Sequence, residues 1–88
     1  MVWKIEFDPA AIKELRKLDP QTARRIITFL RERVAALDDP RSIGQALSGE
    51  KLGDFWKYRV GDWRIITKIE DKKLLILVLR VGNRRDVY

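Results

Sequence analysis

Cysteine and histidine are both absent from this 88-residue chain. Without cysteine there is neither a disulfide nor a thiolate metal site. Without histidine the commonest metal ligand and the commonest general base are missing. Any chemistry falls to Lys, Arg, Tyr, Asp, Glu, Ser or Thr, and the expectation is a protein with no cofactor and no metal. Long apolar runs are missing too. The longest, Leu74 to Leu79, suits a buried strand and falls far short of the ~20 residues a membrane helix needs. The opening, MVWKIEFDP, lacks the apolar h-region of a signal peptide. A chain free of disulfides fits the cytosol, so a cytoplasmic protein without membrane attachment is expected.

Positive charge is what the chain has in excess. Nineteen basic residues against thirteen acidic ones give a net charge of +6. Clustered Lys and Arg attract phosphates and release counterions on binding, so this balance favours a polyanionic partner. Residues 49–88 hold ten basic and six acidic residues against nine and seven before them, which leans the excess toward the second half.

The length fits one domain, residues 1–88. Residues 2–7 alternate, with Trp3, Ile5 and Phe7 on one face, as a half-buried strand does. Asp8-Pro9 reads as an N-cap followed by a first-turn proline, and Ala11, Ile12, Leu15 and Leu18 form the core stripe of a first helix. Asp19-Pro20 repeats the signal. Ala23, Ile26, Ile27, Leu30, Val34 and Leu37 then predict a second helix from about Pro20 to Leu37. Residues 38–54, with Asp39-Pro40, Gly44, Gly49 and Gly53, read as a loop with little regular structure. Three strands follow: Phe55 to Val60, Trp63 to Ile69 after a tight turn at Gly61-Asp62, and Leu74 to Val81 after Asp71-Lys72. The last is apolar on both faces, which predicts a central position. The first strand is expected beside it. The predicted fold is α+β: an N-terminal strand, a helical hairpin, then a three-stranded antiparallel meander.

Strand alternation sorts the functional candidates. Trp56, Tyr58 and Val60 are expected to face the helices, as are Trp63, Ile65, Thr67 and Ile69. Lys57, Arg59, Arg64 and Lys68 then share the other face, with Lys57 and Arg59 about 7 Å apart. The chain end adds Arg84, Arg85 and Tyr88. A solvated basic face is the ordinary reading of each residue singly. Gathered on one side, they form a surface that binds a phosphate chain and stacks bases on aromatic rings. RNA brings its own nucleophile, the 2′-hydroxyl. Guanidinium groups match phosphate in bidentate fashion, and a lysine among cations becomes a usable base. The residues by themselves favour an RNA-binding module over a ribonuclease.

Three stretches resemble the RelE branch of the RelE/ParE toxin superfamily: IEFDPAAIKELRKLD, LSGEKLGDFWKYRVGDWRII and VLRVGNRRDVY. The last is similar to the G-H-R-(R/K)-(D/E)-(V/I)-Y end common in that family. The resemblance implies a microbial ribonuclease-like fold. It also implies a type II toxin–antitoxin toxin that is a metal-independent endoribonuclease, cutting messenger RNA in the ribosomal A site through the 2′-hydroxyl. Carried over by motif, Lys57 and Tyr88 help activate the hydroxyl, Arg59 and Arg64 hold the scissile phosphate, and Arg84 serves the leaving group. Lys51, Lys68, Asn83 and Arg85 are the expected RNA contacts around them. The implied partners are mRNA on the ribosome and a cognate RelB-like antitoxin, with Phe29 a candidate for that surface. Asn83 stands where many relatives have histidine, and asparagine cannot shuttle a proton at neutral pH. Two alternatives therefore stay open: a catalytically attenuated RNA or ribosome binder, and a ParE-like toxin directed at gyrase.

Overall fold

All three prolines of the chain follow an aspartate, and each pair starts a helical turn. The computed structural model describes residues 3–47 and 55–83. Strand β1 (Lys4–Phe7) runs into helix α1 (Pro9–Arg16), whose Asp8 carboxylate accepts the Ala10 N–H at 3.0 Å. Helix α2 (Pro20–Phe29) begins the same way, with Asp19 accepting from the Thr22 N–H and hydroxyl. An aspartate placed there satisfies donors that the helix leaves orphaned, and proline supplies a pre-set φ where no N–H is needed.

The second helix departs from expectation at its end. Beyond Phe29 it widens into a π-helical turn over Leu30–Val34, closed by Ala35 N–H donating to Leu30 O at 2.8 Å. The extra residue in that turn lets Leu30, Val34 and Ala35 all reach the core. The segment read as an irregular loop also carries structure. Asp39-Pro40 starts a 3₁₀ turn (Pro40–Ile43), and the two-residue strand β2 (Gln45–Ala46) follows. A strand that short has no alternation to detect.

Strands β3 (Phe55–Val60), β4 (Trp63–Glu70) and β5 (Leu75–Asn83) form the expected meander, with a 3₁₀ turn (Asp71–Lys73) before β5. The sheet order is β1-β5-β4-β3-β2, so five strands replace the four expected. β5 is an interior strand between β4, the middle strand, and a parallel β1, in the register Lys4↔Leu75 to Phe7↔Val78. Beyond the end of β1, the Val81 N–H donates to Glu14 of α1 at 2.8 Å, and Arg80 pairs with the same carboxylate at 3.1 Å. That contact covers the part of the β5 edge that β1 leaves unpaired.

Both helices lie on one face of the sheet. Ala11, Leu15, Ile26, Leu30 and Val34 pack there against Tyr58, Val60, Ile65, Ile69, Ile76, Val78 and Val81. Thr67 shares this face and satisfies its hydroxyl on Trp56 O at 3.1 Å. A β-bulge opposite Ile66 shifts the pattern of β5 by one, which explains why Val78 and Val81, three apart, both face inward. Ile12 departs from its expected core position. It is 38 % exposed, because α1 turns Ala11 and Leu15 to the sheet and leaves Ile12 at the rim. Among the described residues no helix is long and apolar enough to cross a membrane.

Candidate functional site

The outer side of β3 is set by its inner side. Tyr58 and Val60 are drawn into the core, so Lys57 and Arg59 project the other way. Gly61 turns the chain with φ at +59°, a conformation that suits glycine in a two-residue hairpin. The turn fixes the register, setting Arg59 directly across from Arg64 and Lys57 across from Ile66. On the other edge β2 pairs Gln45 with Lys57. The result is a cavity of about 220 Å³ lined by Ile43, Gly44, Gln45, Lys57, Tyr58, Arg59 and Arg64.

Tyr58 supports this cavity from below. It is 1 % exposed, meets Phe29 edge-on at 6.4 Å, and donates its hydroxyl to Pro40 O at 2.6 Å. Gly44 lies against the same ring, where an added Cβ would stand 2.9 Å from Cε1. The wall from Pro40 to Gly44 thus rests on β3 through this phenol, next to the backbone pairing of Gln45 with Lys57. Burial pushes that phenol up from 10.0 to about 12. A folded value raised above the unfolded one gives stability that is complete below pH 10.0 and lost as pH climbs toward about 12. The Tm advantage of the wild type over Tyr58→Phe is therefore expected to shrink between pH 9 and about 12. An advantage that stayed constant over that range would contradict this role.

The charge in the cavity is one-sided. No carboxylate is among its lining residues, and two arginines face each other across the strands. Like charges directly opposed on a sheet destabilise it unless an anion joins them. Arg64 is held in place by its own turn: Nη1 donates to Gly61 O at 3.1 Å and to Trp63 O at 3.2 Å. Both bonds use Nη1, so Nε and Nη2 have no partner among the described residues. Arg41 makes the contrast. Its guanidinium forks onto Asp71 at 3.0 and 2.8 Å and lies 5.9 Å from the Trp56 ring centre. That pairing holds the Asp71 carboxyl below the usual carboxylate range. Arg41 is a clamp between the Pro40 turn and the start of the β4–β5 connection; Arg59 and Arg64 are the cations offered to a ligand.

Of the residues singled out from the sequence, the structure brings together Lys57, Arg59 and Arg64 on the outer face of the hairpin. Lys68 does not join them. It lies four residues along β4 from Arg64, about 13 Å away, opposite Phe55 and beside a separate depression with Glu70 and Asp71. Gly82 is the β5 partner of Arg64, which leaves that position free of a side chain, and Asn83 follows opposite Trp63. Lys51, Arg84, Arg85 and Tyr88 lie outside the described residues. Phe29 is half-buried against Tyr58. Sequence reading missed the Ile43–Gln45 wall. Its only signal was Asp39-Pro40, the third copy of a start signal already used twice.

Comparison with known proteins bears on the whole chain. Residues 5–88 match the family model described as the ParE toxin of type II toxin–antitoxin systems, parDE. The toxin RelG of Mycobacterium tuberculosis is 28% identical over 88 residues, covering 100% of this chain and 98% of the relative. The mRNA interferase toxin RelE of Escherichia coli is 30% identical over 90 residues, covering 100% and 92%. Among solved structures, the RelBE2 toxin–antitoxin complex of M. tuberculosis has a chain that superposes with a TM-score of 0.85 at 26% identity, covering 98% of this chain and 95% of that one. The intact E. coli RelBE complex matches with a TM-score of 0.72 at 25% identity, covering 92% and 95%.

Proposed function

This chain belongs to the ParE toxin family of type II toxin–antitoxin systems, within the RelE/ParE superfamily, and from that premise we propose that it is a metal-independent endoribonuclease cutting messenger RNA in the ribosomal A site. The observation that carries this reading is the acid-free cavity in which Lys57 stands beside the opposed pair Arg59 and Arg64. Two guanidinium groups form a fork for a phosphodiester and for the extra negative charge of a phosphorane. Lys57 lies one step along the strand, where it helps take the proton from the 2′-hydroxyl. The 2′-oxygen bonds to phosphorus, the bond to the 5′-oxygen breaks, and a proton goes to that leaving oxygen. The products are a cyclic phosphate and a free 5′-hydroxyl. Arg84 and Tyr88 enter on the sequence motif alone, Arg84 at the leaving group and Tyr88 with Lys57. Lys51, Lys68, Asn83 and Arg85 hold neighbouring parts of the strand. The cognate partner is a RelB-like antitoxin, whose acidic surface neutralises the same cations.

Primer extension on a translated message tests the activity. Added protein is expected to give new stops at ribosome-occupied positions, and a message left intact would end the ribonuclease reading. Asn83 sharpens the experiment. If arginine and tyrosine carry the proton transfers, Asn83→His raises the rate about tenfold or less. A required acid–base group supplies ~10²–10⁴-fold, so a gain of that size would mean that the natural chain is a binder with a disabled site. The matching family model carries the ParE name, which favours a second reading, a gyrase-directed toxin. Inhibition of supercoiling by the purified chain, with messages uncut, would support that reading instead.

A further inference from the structure

Arg59 lines two cavities. One is the groove described above; the other, of about 420 Å³, lies between α2 and the β3–β4 turn and includes Arg25, Thr28, Glu32, Arg33 and Gly61. The Arg25 guanidinium reaches over that turn, with Nη1 and Nη2 3.8 and 3.9 Å from where a Cβ on Gly61 would stand. Arg64 reaches the same turn from the groove side, donating to Gly61 O. Three arginines thus collect around one glycine turn, with Arg33 close by. The side chains of Arg25, Arg33 and Arg59 make no hydrogen bond or ion pair with another described residue, and Glu32 in the same depression pairs with none of them. Grouped guanidinium groups without carboxylate partners give a locally positive field that a phosphate relieves, and their planar forks fit its oxygens.

We propose that this depression is a second phosphate subsite. It holds a backbone phosphate of the same RNA strand, next to the one in the groove, with the strand passing over the Gly61 turn between the two. The inference rests on the RNA reading of the groove. The depression carries no lysine, and Arg59 is the one residue it shares with the bond-breaking chemistry of the groove; Arg25 and Arg33 stand outside that chemistry and act on affinity.

Binding of 2′-O-methyl RNA, which lacks the nucleophile and stays uncut, tests this on the full chain. The wild type and the Arg25→Gln/Arg33→Gln variant are titrated over a range of salt with a dinucleotide, whose single internucleotide phosphate fills the groove alone, and with an oligomer of roughly a dozen nucleotides. Each phosphate contact on a single strand contributes about 0.7 to the slope of log K against log salt. The variant is expected to lose about 0.7 from that slope with the long oligomer and nothing with the dinucleotide. Its single-turnover cleavage rate at saturating message should stay unchanged, and Arg25→Lys/Arg33→Lys should keep most of the slope. Should the double variant fail to fold, Arg33→Gln alone is expected to lose a smaller part of that slope, since Arg25 and Arg59 still line the depression. An unchanged slope in a wild-type chain that binds RNA overturns the subsite and leaves the groove reading standing. Weakened cosedimentation with ribosomes and an unchanged oligomer slope would assign these arginines to the ribosome's own phosphates and overturn the substrate-strand assignment. A wild type that binds neither oligomer overturns both readings.

Discussion

Arg64→Ala is expected to slow single-turnover cleavage of ribosome-bound message by about 10²–10³-fold, the usual loss when one pre-aimed donor to a developing anion is removed. Arg64 is the arginine to choose because its position is fixed before any ligand arrives. Two carbonyls of its own turn hold Nη1, and the neighbouring β5 position is Gly82, which has no side chain to compete for the space. Arg59, by comparison, is exposed and unpaired among the described residues, so more of its alignment must come from the substrate. Arg64→Lys should recover little, since an ammonium cannot replace a planar fork. The side chain stands outside the core cluster, so thermal stability should hardly move. A folded Arg64→Ala chain within tenfold of the wild-type rate would remove Arg64 from the mechanism.

Tyr58→Ala should cost about 3–5 kcal/mol, as deletion of a buried aromatic does. In a domain whose whole stability is about 5–15 kcal/mol, that leaves a substantial unfolded population. The loss has three sources: the ring contact with Phe29, the hydrogen bond to Pro40 O, and the surface against which Gly44 rests. Tyr58→Phe isolates the second of these. It leaves a carbonyl without its donor and should cost about 1–3 kcal/mol. Urea unfolding of the two variants gives the comparison. Equal losses would mean that the hydroxyl carries everything and the ring little. A negligible loss in both would show that the wall from Pro40 to Gln45 is held by something other than Tyr58.

Much of this was legible in the sequence, for identifiable reasons. Asp8-Pro9 and Asp19-Pro20 mark helix starts through local chemistry, and each aspartate accepts the hydrogen bond its position requires. The face of Lys57 and Arg59 followed from the need to bury Tyr58 and Val60, because alternation leaves no other choice. The doubly apolar β5 was read as central; it is an interior strand between β1 and β4, while β4 takes the middle of the five because β2 adds a strand at the far edge. What escaped were features that tertiary packing decides. The π-turn at Leu30–Val34 keeps Leu30 and Val34 in the core, as an ordinary helix would, and adds only the small Ala35, so periodicity does not reveal it. The β-bulge in β5 is likewise silent in a run where nearly every residue is apolar. Lys68 shares the parity of Arg64 yet lies too far along the strand to join it, a reminder that alternation assigns a face and gives no distance.

The interior place of β5 has a consequence for synthesis. It is the strand on which both β1 and β4 depend, and every other described element precedes it in the chain. Residues emerging from a ribosome can form α1, α2 and the β3–β4 hairpin, but β1 has no neighbour and the core no middle until Leu75–Asn83 arrives. Pairing Lys4 with Leu75 closes nearly the whole chain in one step, the kind of non-local contact that forms late. Vectorial assembly is therefore denied to this domain. A nascent copy can pair β3 with β4, but the strand that backs Arg64 and joins β1 to the sheet arrives last, so the finished fold waits for Leu75–Asn83.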